Sequence, residues 1–223
     1  MIDTELFNPS VAVVSRDWLN EEVFVLTCSC SPGFQAQAGQ YVSIMFGGEE
    51  REYTLLSPPE ASVLRFLIKR IEGGKLSSTL GDCAPGTVLN ISRAKGYLTY
   101  RSPDRPVFFV ATGVGIAPFV AMVAAGVTDF TLIHGARTVS GLFYRRELIA
   151  AAKKYIPCVS GTIDAATALP DLQQGYVTHY AERHLQPGLY DFYLCGSRAM
   201  ITDMTHLLDQ RCPDARIYSE AYS

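Results

Sequence analysis

Residues 107–119 constrain the fold of this chain more than any other stretch. They begin with an apolar run, residues 107–111, whose length and Val and Phe content suit a parallel strand buried on both faces. Gly113 and Gly115 follow, and Pro118 stands where it can open a helix without losing a needed N–H donor. A strand, a glycine turn and a helix in this order can aim backbone N–H groups at a phosphate.

The two glycines leave two interpretations open. A Gly-x-Gly turn also occurs as an ordinary connection between a strand and a helix. The third glycine of the common dinucleotide-binding fingerprint is absent, and Pro118 stands near its place. The stretch is therefore either a plain turn or a nucleotide site of a different kind, and the remaining sequence has to decide.

The chain changes character near residue 103. Up to that point, short β-prone runs are broken by glycine and proline, which is typical of a small antiparallel barrel. After the polar, proline-rich residues 101–106, strand and helix patterns alternate, which predicts an open parallel α/β sheet. We therefore predict two domains, an antiparallel β-barrel over residues 1–103 and a parallel α/β domain over residues 104–223.

Periodicity gives expected bounds for the elements of the second domain. The helical patterns cover residues 117–125, 142–155, 175–185 and 199–211. The strand patterns cover residues 107–111, 130–134, 158–160, 191–195 and 216–218. In the first domain, one short helix is expected around residues 77–81.

Composition excludes several classes of protein. The net charge of -3 argues against a nucleic-acid binder that works by charge. No segment approaches the roughly 20 apolar residues that span a membrane, and residues 1–5 lack the features of a signal peptide, so a cytoplasmic protein is expected. The six cysteines and four histidines show no spacing typical of a metal or iron–sulfur site. We expect no metal, and mostly buried, reduced thiols.

Residues 51–57 read Arg-Glu-Tyr-Thr-Leu-Leu-Ser on a predicted barrel strand. Alternation places Arg51, Tyr53 and Leu55 on one side and Thr54 on the other. This combination suits a flavin, because a guanidinium can clamp pyrophosphate and an aromatic ring can stack on the isoalloxazine. The hydroxyl of Thr54 could bond a ring nitrogen. The alternative is that Arg51 and Tyr53 form an ordinary solvated strand face.

Residues 74–80, Gly-Lys-Leu-Ser-Ser-Thr-Leu, place small polar residues at the start of a helix. Unpaired N–H groups and the helix dipole favour an anion at such a position. The alternative is that Ser77 serves as a simple N-terminal cap.

Together, these motifs resemble the ferredoxin–NADP(H) reductase family of flavoproteins over nearly the whole chain. The further matching motifs are residues 39–41 (Gly-Gln-Tyr), 85–86 (Pro-Gly), 96–98 (Gly-Tyr-Leu), 135–138 (Gly-Ala-Arg-Thr) and 195–200 (Cys-Gly-Ser-Arg-Ala-Met). This family uses a Gly–Pro motif in place of the third glycine, which accounts for Pro118.

The resemblance implies a barrel that holds FAD and an α/β domain that holds NADH or NADPH. The residues expected at the flavin are Arg51, Tyr53, Thr54, Ser57, Lys69, Gly74, Leu76 and Ser77. The residues expected at the nicotinamide nucleotide are Thr112, Gly113, Gly115, Pro118, Arg137, Cys195 and Gly196.

Three residues are expected to take part in the chemistry: Thr54, Cys195 and Glu220. The resemblance places Cys195 beside the nicotinamide, although a small buried residue at a strand end is the alternative. Glu220 could relay a proton or be a solvated tail residue. Tyr222 is the candidate for the C-terminal aromatic that covers the flavin face in relatives, but Ser223 follows it here.

The activity implied is hydride transfer between the nicotinamide nucleotide and FAD, at a near-attack distance of roughly 3–3.5 Å. The expected electron acceptor is a separate redox protein, either a ferredoxin or an oxygenase component. An NAD(P)H-dependent free-flavin reductase is one alternative, and a nucleotide-binding regulatory subunit is another.

Cofactor preference is predicted from the end of the third strand of the second domain. Many NADPH-dependent relatives carry Ser-Arg there, whereas this chain has Ser160 and Gly161. Arg137 is the better candidate to replace the missing cation, because Arg145 and Arg146 fall within a predicted helix. We expect a preference for NADH, or weak discrimination.

Overall fold

The computed structural model describes residues 9–30, 33–58, 61–163, 169 and 171–222. The chain divides into two compact units, residues 1–99 and 100–223. Among the helices of the described part, none is both long and apolar enough to cross a membrane.

The first unit is an antiparallel barrel, as predicted. Its elements are β1 Ser10–Trp18, β2 Val23–Ser29, β3 Tyr41–Phe46, β4 Glu49–Thr54, β5 Val63–Lys69, α1 Lys75–Asp82 and β6 Val88–Ile91. The strands lie in the order β4-β3-β6-β1-β2-β5. A bridge between Leu55 and Phe66, with the Leu56 N–H donating to the Arg65 carbonyl at 2.8 Å, joins the two outer strands and closes the sheet.

The barrel interior holds one apolar core. Phe24, Leu26, Ile44 and Phe66 are fully buried in it, and α1 adds Leu80. Alternation along β2 and β5 turns Phe24, Leu26 and Phe66 inward, so the sheet can close around them. The helix begins at Lys75, two residues before the expected start.

The second unit is a parallel sheet with helices, also as predicted. Its strands are β7 Val107–Thr112, β8 Thr131–Ala136, β9 Lys154–Val159, β10 Gln173–Gln174, β11 Asp191–Ser197 and β12 Arg216–Tyr222. Its α-helices are α2 Ala117–Ala124, α3 Arg145–Ala151, α4 Val177–His184 and α5 Arg198–Arg211. The strand order is β10-β9-β8-β7-β11-β12, so the direction of winding reverses between β7 and β11.

Apolar side chains cover both faces of this sheet, as expected for parallel strands. On one face, the ring of Phe109 lies 4.5 Å from the rings of Phe119 and Phe130. On the other face, α4 and α5 pack their buried residues, including Ala181 and Met204, against the strands.

Three predicted elements of the second unit have clearly wrong bounds. The helix predicted over 142–155 ends at Ala151, and β9 begins at Lys154 rather than near residue 158. The reason is pairing, since residues 154–159 align one by one with residues 131–136 of β8. The last strand reaches Tyr222, because it pairs with β11 along its whole length. Glu220 therefore lies in an edge strand, not in a solvated tail.

Candidate functional site

Arg51 on β4 and the first turn of α1 come together around Glu49. One carboxylate oxygen of Glu49 lies 3.0 Å from Lys75 Nζ, and the other lies 3.8 Å from the Arg51 guanidinium. Both cationic side chains are mostly exposed, whereas the Glu49 side chain is 24% exposed. Two cations thus stand at the positive end of a helix. Positive side chains at this end do not stabilise the helix itself, but they favour the binding of an anion there.

The start of α1 has backbone N–H groups that no side chain of the described residues caps. The N-terminal cap residue is Gly74, which has no side chain to accept a hydrogen bond from these N–H groups. The Ser77 hydroxyl accepts a hydrogen bond from the Ile71 N–H at 3.1 Å and stabilises the preceding turn instead. A Cβ at Gly74 would lie 2.9 Å from Ser77 Oγ and from the Ile71 side chain, so the turn requires glycine. The simple serine cap considered from the sequence is not what the structure shows.

Tyr53 and Thr54 follow Arg51 on the same strand. Tyr53 is half-buried against the barrel core, and burial raises the pKa of its phenol to about 12 against the opposing effect of Arg51. The phenol is therefore neutral at physiological pH. Thr54 is buried and lies opposite Tyr41 on β3. A flat, partly exposed ring beside a guanidinium remains compatible with the predicted stacking on a flavin.

The other three predicted flavin residues have structural contacts of their own. Ser57 is buried, and its hydroxyl accepts from the Arg65 N–H at 3.2 Å. The Leu76 side chain lies in the barrel core, which leaves only its backbone for a ligand. Lys69 is exposed at the end of β5 and pairs with Glu22 at 3.1 Å. Their predicted roles at FAD remain predictions.

In the second unit, the predicted nucleotide residues lie where the winding of the sheet reverses. Thr112 ends β7, and Gly196 stands near the end of the neighbouring β11. The Thr112 hydroxyl accepts from the Ser197 N–H at 3.3 Å, and a Cβ on Gly196 would lie 2.1 Å from that hydroxyl. Gly113 follows with a φ of +57°, and a Cβ added there would meet no atom of the described residues within 4 Å. Ligands of open α/β sheets bind at this type of reversal, outside the carboxyl ends of the strands.

Gly115 and Pro118 have packing roles. A 3₁₀ turn over Gly113–Ile116 separates β7 from α2. A Cβ at Gly115 would lie 2.4 Å from the Cys195 carbonyl oxygen, so glycine lets this turn lie directly on β11. Pro118 is buried in the first turn of α2, where a proline is tolerated. The predicted contact of these residues with a nucleotide remains a prediction.

Cys195, Glu220 and Tyr222 form a group on β11 and β12. Cys195 is fully buried and lies opposite Glu220 in the parallel register. Burial raises the pKa of the Cys195 thiol well above its usual range, Glu220 raises it further, and a hydrogen bond with Tyr222 opposes the effect. Cys195 is therefore a neutral thiol, which is suited to contact an uncharged ring and unsuited to act as a nucleophile.

Arg137 is exposed just beyond the end of β8, beside the end of β9. The Gly161 N–H donates to the Arg137 carbonyl at 2.9 Å, and a Cβ at Gly161 would lie 2.5 Å from that oxygen. Nearby, the hydroxyls of Thr138 and Ser140 are 3.0 Å apart. The two strand ends that the sequence predicts to govern the choice of nucleotide are thus neighbours in the structure.

From the sequence, no role is assigned to Glu49, Lys75, Ser197 or His134. Lys75 could have been predicted as an anion-binding residue, because it follows Gly74 at the predicted start of the helix. Ser197 caps α5 by accepting from the Met200 N–H, and a serine before a helical run is a typical cap. His134 carried no signal beyond its apolar surroundings on β8.

His134 is a fully buried titratable group in the second unit. Its Nδ1 lies 3.0 Å from the Tyr155 hydroxyl, and its Nε2 has no partner among the residues that the structure describes. Burial lowers the pKa of His134 to about 3, so the ring is neutral at physiological pH.

Both units match known domain families. The profile of the oxidoreductase FAD-binding domain matches residues 12–100, and that of the oxidoreductase NAD-binding domain matches residues 109–206. The fold and the two sites thus define an oxidoreductase with an FAD-binding and an NAD-binding domain.

Relatives place the chain more closely. Ferredoxin–NADP reductase A of Sorangium cellulosum (strain So ce56) is 30% identical over 221 residues, covering 86% of this chain and 79% of that protein. This chain belongs to the ferredoxin–NADP(H) reductase family. The toluate 1,2-dioxygenase electron transfer component of Pseudomonas putida is 32% identical over 198 residues, covering 83% of this chain. The match spans only 58% of that relative's length.

Solved structures share the fold. A ferredoxin NADP+ reductase from Neisseria gonorrhoeae with bound FAD and NADP superposes with a TM-score of 0.82 at 19% identity, covering 95% of this chain and 98% of that chain. The ferredoxin reductase in carbazole 1,9a-dioxygenase gives a TM-score of 0.83 at 18% identity, covering 99% and 71%.

The residues present fit both cofactors. Arg51, Lys75 and the uncapped start of α1 supply cations and N–H donors for a pyrophosphate, and Tyr53 supplies an aromatic face. In the second unit, the space outside Gly113 lies at the reversal of the sheet, where the backbone can approach a nucleotide.

Proposed function

We propose that this protein oxidises NADH or NADPH and passes the electrons, through FAD, to a separate redox protein. The observation that carries the proposal is the group of Arg51, Lys75 and the uncapped start of α1. Such a group suits a pyrophosphate, and Arg51 stands on the same strand as Tyr53, whose ring can stack on a flavin.

Each side chain has a defined task in this proposal. Arg51 and Lys75 bind the pyrophosphate of FAD, with the N–H groups at the start of α1. Tyr53 stacks on the isoalloxazine, and Thr54 bonds its ring. In the second unit, Thr112, Gly113 and Gly196 receive the nicotinamide nucleotide.

The chemistry at the rings needs little from the protein beyond position. Bound FAD accepts two electrons as a hydride and can release them singly. The neutral thiol of Cys195 offers the nicotinamide an uncharged, weakly polar contact. Glu220 lies opposite that thiol and would relay a proton there, and Tyr222 orients the thiol through its hydrogen bond.

The electron acceptor is proposed from the relatives. The toluate dioxygenase relative is named an electron transfer component, and the Sorangium relative a ferredoxin–NADP reductase. We therefore propose a ferredoxin or an oxygenase component as acceptor. The cytoplasmic location expected from the sequence is also part of the proposal.

The test is titration of the apoprotein with FAD, together with NADH and NADPH oxidation using ferricyanide as acceptor. Arg51→Ala should weaken FAD binding about ten- to hundredfold, since a charge-assisted bond is worth about 1.5–3 kcal/mol. Arg93→Ala, which removes an exposed arginine of the same unit, is the control and should leave the affinity unchanged.

Equal FAD affinity of wild type and Arg51→Ala would contradict the assignment of the pyrophosphate site. Flavin that leaves the wild-type protein on gel filtration, with full activity restored by free flavin, would instead indicate a free-flavin reductase.

A further inference from the structure

A cavity of about 190 Å³ lies in the second unit, at the amino ends of β7, β8 and β9. Phe108, Thr131 and Lys154 stand in one row across these strands, because Phe108 pairs with Thr131 and Thr131 with Lys154. The cavity thus lies near the amino ends of these strands, whereas Thr112 and Gly113 lie at the carboxyl end of β7. None of the residues assigned to the nicotinamide nucleotide lines it.

The walls of the cavity are aromatic and aliphatic. Phe108 and Tyr190 meet edge to face with their centroids 5.1 Å apart, and the Tyr180 and His184 rings are 4.5 Å apart. Aromatic rings gain most from further rings placed edge to face or offset. A cavity of about 150 Å³ with apolar walls takes up one benzene ring, so this one has room for a ring with a small substituent.

One cation, Lys154, stands at the cavity with no carboxylate beside it in the described part of the chain. Lys154 Nζ lies 3.4 Å from the Tyr180 hydroxyl, to which it donates. No carboxylate lines the cavity among the described residues, and none of the ion pairs that they form includes Lys154. An ammonium beside an apolar cavity favours a ligand with one negative charge on an apolar body.

The adjoining end of α4 does not cancel this preference. Carbonyl groups at a helix C-terminus repel anions. Here the Arg211 guanidinium donates to the carbonyls of Glu182 and Leu185, the latter at 3.4 Å, so part of the negative end is already neutralised.

We propose that this cavity binds a small aromatic carboxylate. The ring lies among Phe108, Tyr180 and Tyr190, and the carboxylate pairs with Lys154. None of the cavity's lining residues is assigned to the flavin or the nucleotide, so the proposal does not depend on those assignments.

The experiment follows 4-fluorobenzoate by fluorine NMR during titration of the intact, FAD-loaded protein. Saturable binding with a Kd of about 0.1–1 mM is expected for a ligand of about ten non-hydrogen atoms. Lys154→Met should weaken it about tenfold or more, and the uncharged 4-fluorobenzamide should bind weaker than 4-fluorobenzoate by a similar factor. Lys153→Met is the matched control, since this neighbouring lysine is exposed and does not line the cavity.

Both lysines are exposed, so neither variant is expected to unfold. No saturable binding to the wild type at up to about 10 mM ligand, well above the expected Kd, would overturn the proposal, and so would equal binding by Lys154→Met. An equal loss in Lys153→Met would also overturn it. Displacement by hexanoate as effective as by unlabelled benzoate would overturn the assignment to an aromatic ring.

Discussion

His134 makes the stability of the second unit depend on pH. Its pKa is about 3 in the folded chain, against an ordinary value of 6.5, because burial disfavours the charged ring. Below pH 6.5 the unfolded chain takes up a proton that the folded chain does not. The free energy of unfolding is therefore at its full value above pH 6.5 and falls as the pH drops towards 3.

The change that this histidine contributes between about pH 7 and about pH 5 should be about 2 kcal/mol. Denaturant titrations of wild type and His134→Gln at both pH values would measure it, because the variant lacks this part of the pH dependence. His206→Gln, on the exposed face of α5, is the control. The same pH dependence in wild type and His134→Gln would contradict the prediction.

Glu49 forms ion pairs with Arg51 and Lys75, the two cations that the proposed site uses to bind pyrophosphate. Its carboxylate pairs with Lys75 at 3.0 Å and approaches Arg51 at 3.8 Å. Exposed ion pairs contribute only about 0–1 kcal/mol, so removing the competing charge should strengthen FAD binding up to about fivefold.

Titration of the Glu49→Gln apoprotein with FAD measures this change. Glu50→Gln is the matched control, because Glu50 is the exposed neighbour of Glu49 on β4 and takes part in no ion pair among the described residues. FAD binding that weakens in Glu49→Gln would show that Glu49 orients the cations rather than competing with the phosphate.

The two glycines of the turn between β7 and α2 are required for different physical reasons. A Cβ on Gly115 would lie 2.4 Å from the carbonyl oxygen of Cys195. A Cβ on Gly113 would meet no described atom within 4 Å, but Gly113 has a φ of +57°. Gly115→Ala should therefore destabilise the protein by about 1–3 kcal/mol through a steric conflict. Gly113→Ala should lose only about 1 kcal/mol to backbone strain.

Denaturant unfolding of the two variants tests this order. A larger loss for Gly115→Ala than for Gly113→Ala would show that Gly115 is needed because the turn packs directly on β11. A loss for Gly113→Ala as large as that for Gly115→Ala would show that the turn can move away from Cys195.

The sequence predicts the elements of this chain better than their ends. The apolar run before Gly113 has the features of a buried strand regardless of its neighbours. Residues 154–155 have no such feature, and they join β9 only because β8 offers them a register. Glu220 likewise lies in a strand because β11 pairs with it. Pairing of this kind depends on distant residues, which local patterns do not contain.

The same holds for the candidate site. Separate motifs predict that Arg51 and residues 74–80 each bind a phosphate. Their proximity depends on the closure of the barrel, which a pattern within either motif does not specify. The intervening carboxylate of Glu49 is visible only in the structure.

In the chain taken as one enzyme, the proposed flavin residues belong to the first unit and the proposed nicotinamide nucleotide residues to the second. We expect the choice between NADH and NADPH to be decided in the second unit, at the ends of β8 and β9. Arg137 is exposed there, and Gly161 donates its N–H to the Arg137 carbonyl. A side chain on Gly161 would meet that carbonyl at 2.5 Å, so an arginine introduced at this position would disturb the backbone that holds Arg137.

Ser160 is the better place to add a cation. It is half-buried at the end of β9, and its hydroxyl makes only a long bond of 3.5 Å to the Ala136 carbonyl. Because Gly161 supplies no cation for the 2′-phosphate and Arg137 is only the better candidate to replace it, we expect the natural enzyme to prefer NADH or to discriminate weakly. Arg137→Ala should reduce kcat/KM for NADPH about ten- to hundredfold and change that for NADH little.

The measurement is the ratio of kcat/KM for NADH and NADPH in the wild type, Arg137→Ala and Ser160→Arg. Ser160→Arg should shift the ratio towards NADPH, because it restores a charge-assisted bond to the phosphate. Arg146→Ala is the control, since Arg146 lies on the exposed face of α3. A wild-type preference for NADPH of about a hundredfold would contradict the expected preference, and an equal effect of Arg137→Ala on both nucleotides would remove Arg137 from the phosphate site.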